Sequence, residues 1–113
     1  MFAGLKHPGV FGDVISLSGS FWWKPEGEKD GEWLTGLVET TARVPIHLYL
    51  EVGLMESYSV QVAANRHMRD VLTDKGYRVG YAEYDGGHAF LNWSEGMVNG
   101  LRYLIGTKSG NTR

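Results

Sequence analysis

Cysteine is missing altogether from the 113 residues, which excludes disulfides and thiolate metal sites and fits a reducing, cytoplasmic location. Long apolar runs are missing too: none approaches the roughly 20 residues that a membrane helix needs. The first residues lack the basic-then-apolar layout of a secretory signal. A surplus of positive charge is also absent. With 11 Lys and Arg against 13 Asp and Glu, the net charge is -2, and no basic face is concentrated for phosphate binding. Nucleic acid and membrane are therefore excluded as expected partners, and a neutral or small molecule is left. Internal repeats and low-complexity stretches do not occur.

A hydrophobic content of 42% with 21% charge is ordinary for one globular domain, expected to span residues 1–113. Residues 1–8, ending His7-Pro8-Gly9, read as the last turns of a helix whose start signal is missing. Three short β-branched or aromatic runs read as strands: Asp13 to Ser18, Pro45 to Val52 and Tyr77 to Tyr84. Helical spacing appears from Ser59 to Lys75, where Val60, Ala64, Met68 (or His67), Val71 and Leu72 recur and Gly76 stops the helix. A weaker helix spans Asp30 to Thr41, with Trp33, Leu34, Leu37 and Val38 on one face. The last runs from Ser94, its expected cap, to Ile105, carrying Met97, Leu101, Leu104 and Ile105. Lys24 to Gly31 is a charged loop, and Thr107 to Arg113 a polar tail.

This alternation predicts an α/β fold: parallel strands with helices on both faces. In such sheets ligands gather beyond the carboxyl ends of the strands, so the loops after Leu17, Val52 and Tyr84 carry the interest. His88 follows the third strand through Asp85-Gly86-Gly87, whose glycines allow a backbone to approach a ligand closely. Loop packing and catalysis are both open to it. Glu56 follows the second strand; read alone, it is a carboxylate near a helix N-terminus, where the helix dipole favours negative charge. An acid and a histidine after successive parallel strands can also meet at one sheet edge. There the carboxylate accepts the imidazole Nδ1–H and fixes its tautomer.

Acid before histidine matches the later part of the order nucleophile, acid, histidine of α/β-hydrolases, but no serine sits in G-x-S-x-G. The nearest miss, Asn92 to Gly96, comes after the histidine. Ser18 and Ser20 lie past the first strand, but Phe21-Trp22-Trp23 and a Lys-Pro loop follow them instead of a helix. Trp22 and Trp23 read as pocket wall or as core, with at least one expected to pack inside. His7, His47 and His67 show no metal-ligand spacing, so a metal-dependent hydrolase built on His88, Asp85 and Glu56 is a weak alternative, and no metal or cofactor is expected.

The sequence resembles the enterochelin (siderophore) esterases and their relatives in the putative esterase family of α/β-hydrolases, which cleave ester bonds in catecholate siderophores. The resemblance rests on the run Ala3 to Trp23, ending SGSFWW, on LEVGLME at Leu50 to Glu56, and on DGGHAFLNW at Asp85 to Trp93. It implies a serine hydrolase with Glu56 as triad acid, His88 as general base, and Trp22 and Trp23 near the substrate pocket. It also implies a nucleophile upstream of Met1, so the chain is expected to be the C-terminal portion of an esterase, lacking the elbow and inactive alone. The first strand then has a bare edge, which invites homo-oligomerisation or pairing with another chain. The competing reading is a non-catalytic α/β binding module with a tryptophan-lined pocket.

Overall fold

The computed structural model of the chain describes residues 1–55, 58–85 and 90–108. The elements alternate as expected. A short helix α1 (Phe2–Lys6) leads to strand β1 (Asp13–Leu17), and helix α2 (Trp33–Thr40) follows a long loop. Strand β2 (His47–Gly53) precedes a π-wound turn, Tyr58–Val62, that runs directly into helix α3 (Ala63–Asp74). Strand β3 (Val79–Tyr84) and helix α4 (Phe90–Lys108) complete the order. The strands lie in sequence order and are all parallel, with Asp13 opposite His47 and Leu48 opposite Val79.

Successive side chains of a strand point to opposite faces, and the two faces here are built differently. Val14, Leu48 and Leu50 join a core with Ile46, Val38, Ala64, Met68, Val71, Leu72 and Tyr77, and α2 and α3 supply its far wall. Val14 also meets α1, because Gly4 is close enough that a Cβ there would stand 3.0 Å from Val14 Cγ2. The opposite face carries Ile15, Leu17, Tyr49 and Glu51, and α4 lies on it through Gly96 and Gly100. A Cβ on Gly100 would stand 3.0 Å from both Ile15 and Tyr49, and one on Gly96 would collide with the Glu51 carboxylate. Only glycine lets α4 come this close.

The stop at Gly76 holds in detail. Gly76 has φ +89, its N–H bonds to Thr73 O at 3.0 Å, and the Tyr77 N–H bonds to Leu72 O at 3.0 Å. That paired pattern satisfies the last carbonyls of α3, and glycine adopts the left-handed backbone without a Cβ penalty.

Four expectations need correction. Ser94 does not cap α4, which begins at Phe90 and places Ser94, exposed, inside the helix. The α4 residues Met97, Leu101 and Ile105 are half-exposed, because the stripe Gly96, Gly100 and Leu104 faces the sheet instead. Val60 is half-exposed and Val62 fully buried, since the extra residue of a π turn rotates the first turn relative to α3. On α2 the buried positions are Thr35 and Val38, with the Thr35 Oγ1–H directed at Met68 Sδ over 3.7 Å. Among the described residues no helix is long and apolar enough to cross a membrane.

Candidate functional site

All three strands run in one direction, so their carboxyl ends gather at one edge of the sheet. The ends of β2 and β3 coincide: Gly53 and Tyr84 are register partners, and the Leu54 N–H donates to Tyr84 O at 2.8 Å. Glu56 and His88, which follow these two ends in sequence, lie outside the described residues. Asp85, the first residue past β3, is exposed.

The loop after β1 is fully described. Ser18 is buried and holds a left-handed backbone with φ 54, a conformation that costs a non-glycine residue roughly 1–2 kcal/mol. Several bonds hold it there. Its N–H donates to Glu51 O at 2.7 Å, its carbonyl accepts from Gln61 Nε2 at 2.7 Å, and Asn65 Nδ2 donates to the next carbonyl, Gly19 O, at 2.9 Å. No helix follows until Trp33, so Ser18 and Ser20 do not stand on a strand-to-helix turn. Phe21, buried, anchors the loop and packs under Gly19, where a Cβ would come within 2.7 Å of its ring.

The two adjacent tryptophans are 44% and 50% exposed, so neither serves the core, contrary to expectation; the buried aromatic of this loop is Phe21. Their roles separate. Trp22 Nε1–H donates to Gln61 Oε1 at 2.8 Å. Trp23 meets Trp33 edge-on, with centroids 6.4 Å apart, and Phe2 stacks on the same Trp33 at 5.9 Å. With Ser20, Phe21 and Leu34 these rings line an open, almost wholly apolar cavity of about 390 Å³. Such a cavity suits a planar apolar group better than a charged one, since burying an unpaired charge there costs several kcal/mol.

Three polar features of this region were not legible in the sequence. Gln61 and Asn65 are buried polar residues, four apart, that interrupt an apolar helix face, and this interruption is the signal that could have found them. Glu51 is a buried carboxylate on β2 that accepts the Tyr49 O–H at 2.7 Å. Burial, with the neighbouring carboxylate second, pushes the Tyr49 phenol above its ordinary range, so it stays protonated as the donor. At the far edge Arg66 clamps Glu83 with two bonds of 2.6 and 2.9 Å, and Tyr81 donates to the same carboxylate at 2.7 Å. The Arg66 bonds hold the Glu83 carboxyl down at about 2. Two of the three described histidines have a local partner: His47 Nδ1 lies 3.6 Å from Asp13, and His67 Nδ1 lies 2.8 Å from Glu32, while His7 is the residue that ends α1.

Known proteins with the same organisation exist. The Iron(III) enterobactin esterase of Dickeya dadantii is 31% identical over 116 residues, covering 93% of this chain and 26% of that protein. The Escherichia coli K12 protein of the same name is 34% identical, covering 89% of this chain and 25% of its own length. In structure, the enterobactin esterase of Shigella flexneri, solved in the presence of 2,3-di-hydroxy-N-benzoyl-serine, superposes with a TM-score of 0.75 at 30% identity, over 88% of this chain and 26% of that one. A ferulic acid esterase at 13% identity and TM-score 0.68 shares the fold. The chain thus spans about a quarter of the enterobactin esterases it matches. The Putative esterase family matches residues 1–104, and the chain belongs to that family.

Proposed function

We propose that the chain carries the acid–base part of a carboxylic ester hydrolase of the enterobactin-esterase type, with His88 as general base, Glu56 as its orienting acid, and Trp22 and Trp23 beside the substrate. The observation that carries this reading is the shared end of β2 and β3. Gly53 and Tyr84 are neighbours in register, and Glu56 and His88 follow them three and four residues on. At about 3.5 Å of reach per residue, the two side chains can meet above that edge.

The reaction this serves is acyl transfer to water. A serine Oγ attacks the ester carbonyl as His88 takes its proton; the alcohol leaves with that proton, and water repeats the sequence to release the acid. Glu56 holds the imidazole in the Nδ1–H tautomer and stabilises the imidazolium. The serine is not assigned to residues 1–113. Ser18 is buried and strained, but its loop lacks the following helix whose first amides would build an oxyanion hole. This chain alone is therefore a poor catalyst and is proposed to be a fragment of the catalytic domain. Hydrolysis of a p-nitrophenyl ester is the test: turnover should match buffer, and turnover abolished by His88→Ala would overturn this part of the reading.

The ester class follows the relatives, which are named as esterases of iron(III) enterobactin and iron(III) salmochelin. The apolar aromatic cavity agrees with an aryl-bearing ester. A non-catalytic module that keeps this cavity is the second reading, favoured by the lack of an elbow serine. A cytoplasmic location goes with either reading and rests on the absence of cysteine.

Pairing with another chain belongs to the same proposal. The Gly12 carbonyl and Ser18 N–H bond across to β2, so by alternation the backbone groups of Ile15 and Leu17 point the other way, where no described strand lies. Beside them Ile15, Met97, Leu101, Leu104 and Ile105, with Asp13 at one end of the strand, line a mostly apolar groove of about 340 Å³. A second copy or an upstream strand would cover it. Light scattering should give a mass above 12.6 kDa; a monodisperse monomer would contradict it.

A further inference from the structure

We propose that Gln61 is a positioning residue of this site: it sets the orientation of the Trp22 indole and ties the turn that follows Glu56 to the loop that follows β1. The proposal rests on the ester-site reading above and adds a residue to it. Gln61 is buried, and its amide is used at both ends. The Nε2 group donates to Ser18 O at 2.7 Å and to Gly19 O at 3.1 Å, while Oε1 accepts the Trp22 indole N–H at 2.8 Å. Only a carboxamide offers donors and an acceptor at one side-chain end, so no carboxylate or hydrocarbon reproduces the arrangement.

The backbone explains why Gln61 reaches. It stands on the π-wound turn Tyr58–Val62, whose added residue turns Gln61 inward and Val60 outward. One α-helical turn on, Asn65 Nδ2 bonds both Gln61 O and Gly19 O at 2.9 Å. Asn65 Oδ1 is buried with no hydrogen-bond partner among the described residues. Asn65 is held by the two hydrogen bonds that its Nδ2 group donates. Two amides on one helical face thus clamp two consecutive carbonyls, Ser18 and Gly19, and the strained Ser18 backbone stays in place.

Consequences reach Trp22. The indole is 44% exposed and has one described hydrogen-bonding anchor, Gln61. Without it the ring keeps its attachment to a clamped backbone and loses its orientation. A ligand resting on that ring then binds less tightly, and the chemical step at His88 is untouched.

The test uses the purified chain, with 2,3-dihydroxy-N-benzoyl-serine as probe. In NMR, the Trp22 indole N–H, assigned by its loss in Trp22→Phe, should exchange slowly in the unaltered chain. In Gln61→Leu it should exchange about five- to tenfold faster and shift, the worth of one partly buried hydrogen bond, while the other indole signals hold still. Probe affinity should fall by a similar factor in Gln61→Leu and in Trp22→Phe, and the double variant should lose no more than the larger single loss. Melting curves recorded alongside report folding, and Gln61→Met replaces the leucine variant if that one does not fold. Unchanged Trp22 exchange in the Gln61 variant, or additive affinity losses, would overturn the proposal. Faster exchange with no probe binding by the unaltered chain would instead sink the ester-site reading, and the positioning role with it.

Discussion

The two faces of the sheet are made from the same three strands and are sealed to different degrees. On one, Leu48, Leu50 and Val52 have no exposure, and α2 and α3 close over them with Val38, Met68 and Leu72. On the other, the strands present Ile15, Tyr49 and Glu51, and α4 meets them with glycine, so Met97, Leu101 and Ile105 remain at the surface. The first face is a core in the ordinary sense, held by burial of aliphatic area. The second is held by close approach of a helix backbone and by one buried tyrosine–carboxylate bond, and on its flank β1 is the edge strand among the described residues. A strand order read from sequence says nothing about which face is complete; the helix residues that touch it decide.

Substitutions sharpen the contrast. Leu50→Ala should cost about 2–5 kcal/mol in denaturant unfolding, because the site is fully buried and leaves a cavity. Ile15→Ala, on the partly open face, should cost less, roughly 1–2 kcal/mol, since Ile15 is only partly buried and lines the open groove. Equal losses would erase the distinction between the faces.

A smaller effect is expected from acid at the β3 edge, on the sealed face. Arg66 holds the Glu83 carboxyl at about 2 against an ordinary 4.5. Between those values the unfolded chain binds the proton that the folded chain refuses. The bond's contribution is therefore complete above pH 4.5 and is lost as pH falls through 4.5 toward 2. Melting temperature against pH should show this acid limb, and Glu83→Gln should flatten it. An unchanged limb would mean that other carboxylates set it.

How far these features could be read in advance depends on which interactions make them. The parallel order, the strand positions and the stop at Gly76 were legible because β-branched runs, helical periodicity and a glycine after Lys75 act locally. The docking of α4 was legible only in part: apolar periodicity picks out Met97, Leu101, Leu104 and Ile105, of which Leu104 alone is buried, while Gly96 and Gly100 carry the close approach, about which hydrophobicity is silent. The expectation that one of Trp22 and Trp23 is core failed because Phe21, one residue earlier, takes the inward position. Winding of the turn before α3 is a tertiary outcome, so helical spacing alone points Val60 inward while the π turn leaves it half-exposed. The acid and the histidine were proposed from order and resemblance, and both fall outside the described residues. The role of Gln61 is not legible locally because its partners are carbonyls more than forty residues away.

The central claim, that Glu56 orients His88, has a direct measurement in the nitrogen shifts of the His88 imidazole above its titration, with and without Glu56→Gln. The Nδ1–H tautomer is expected in the unaltered chain, with a move toward a tautomer mixture when the carboxylate becomes an amide. An Nε2–H tautomer, or one indifferent to Glu56→Gln, would contradict it.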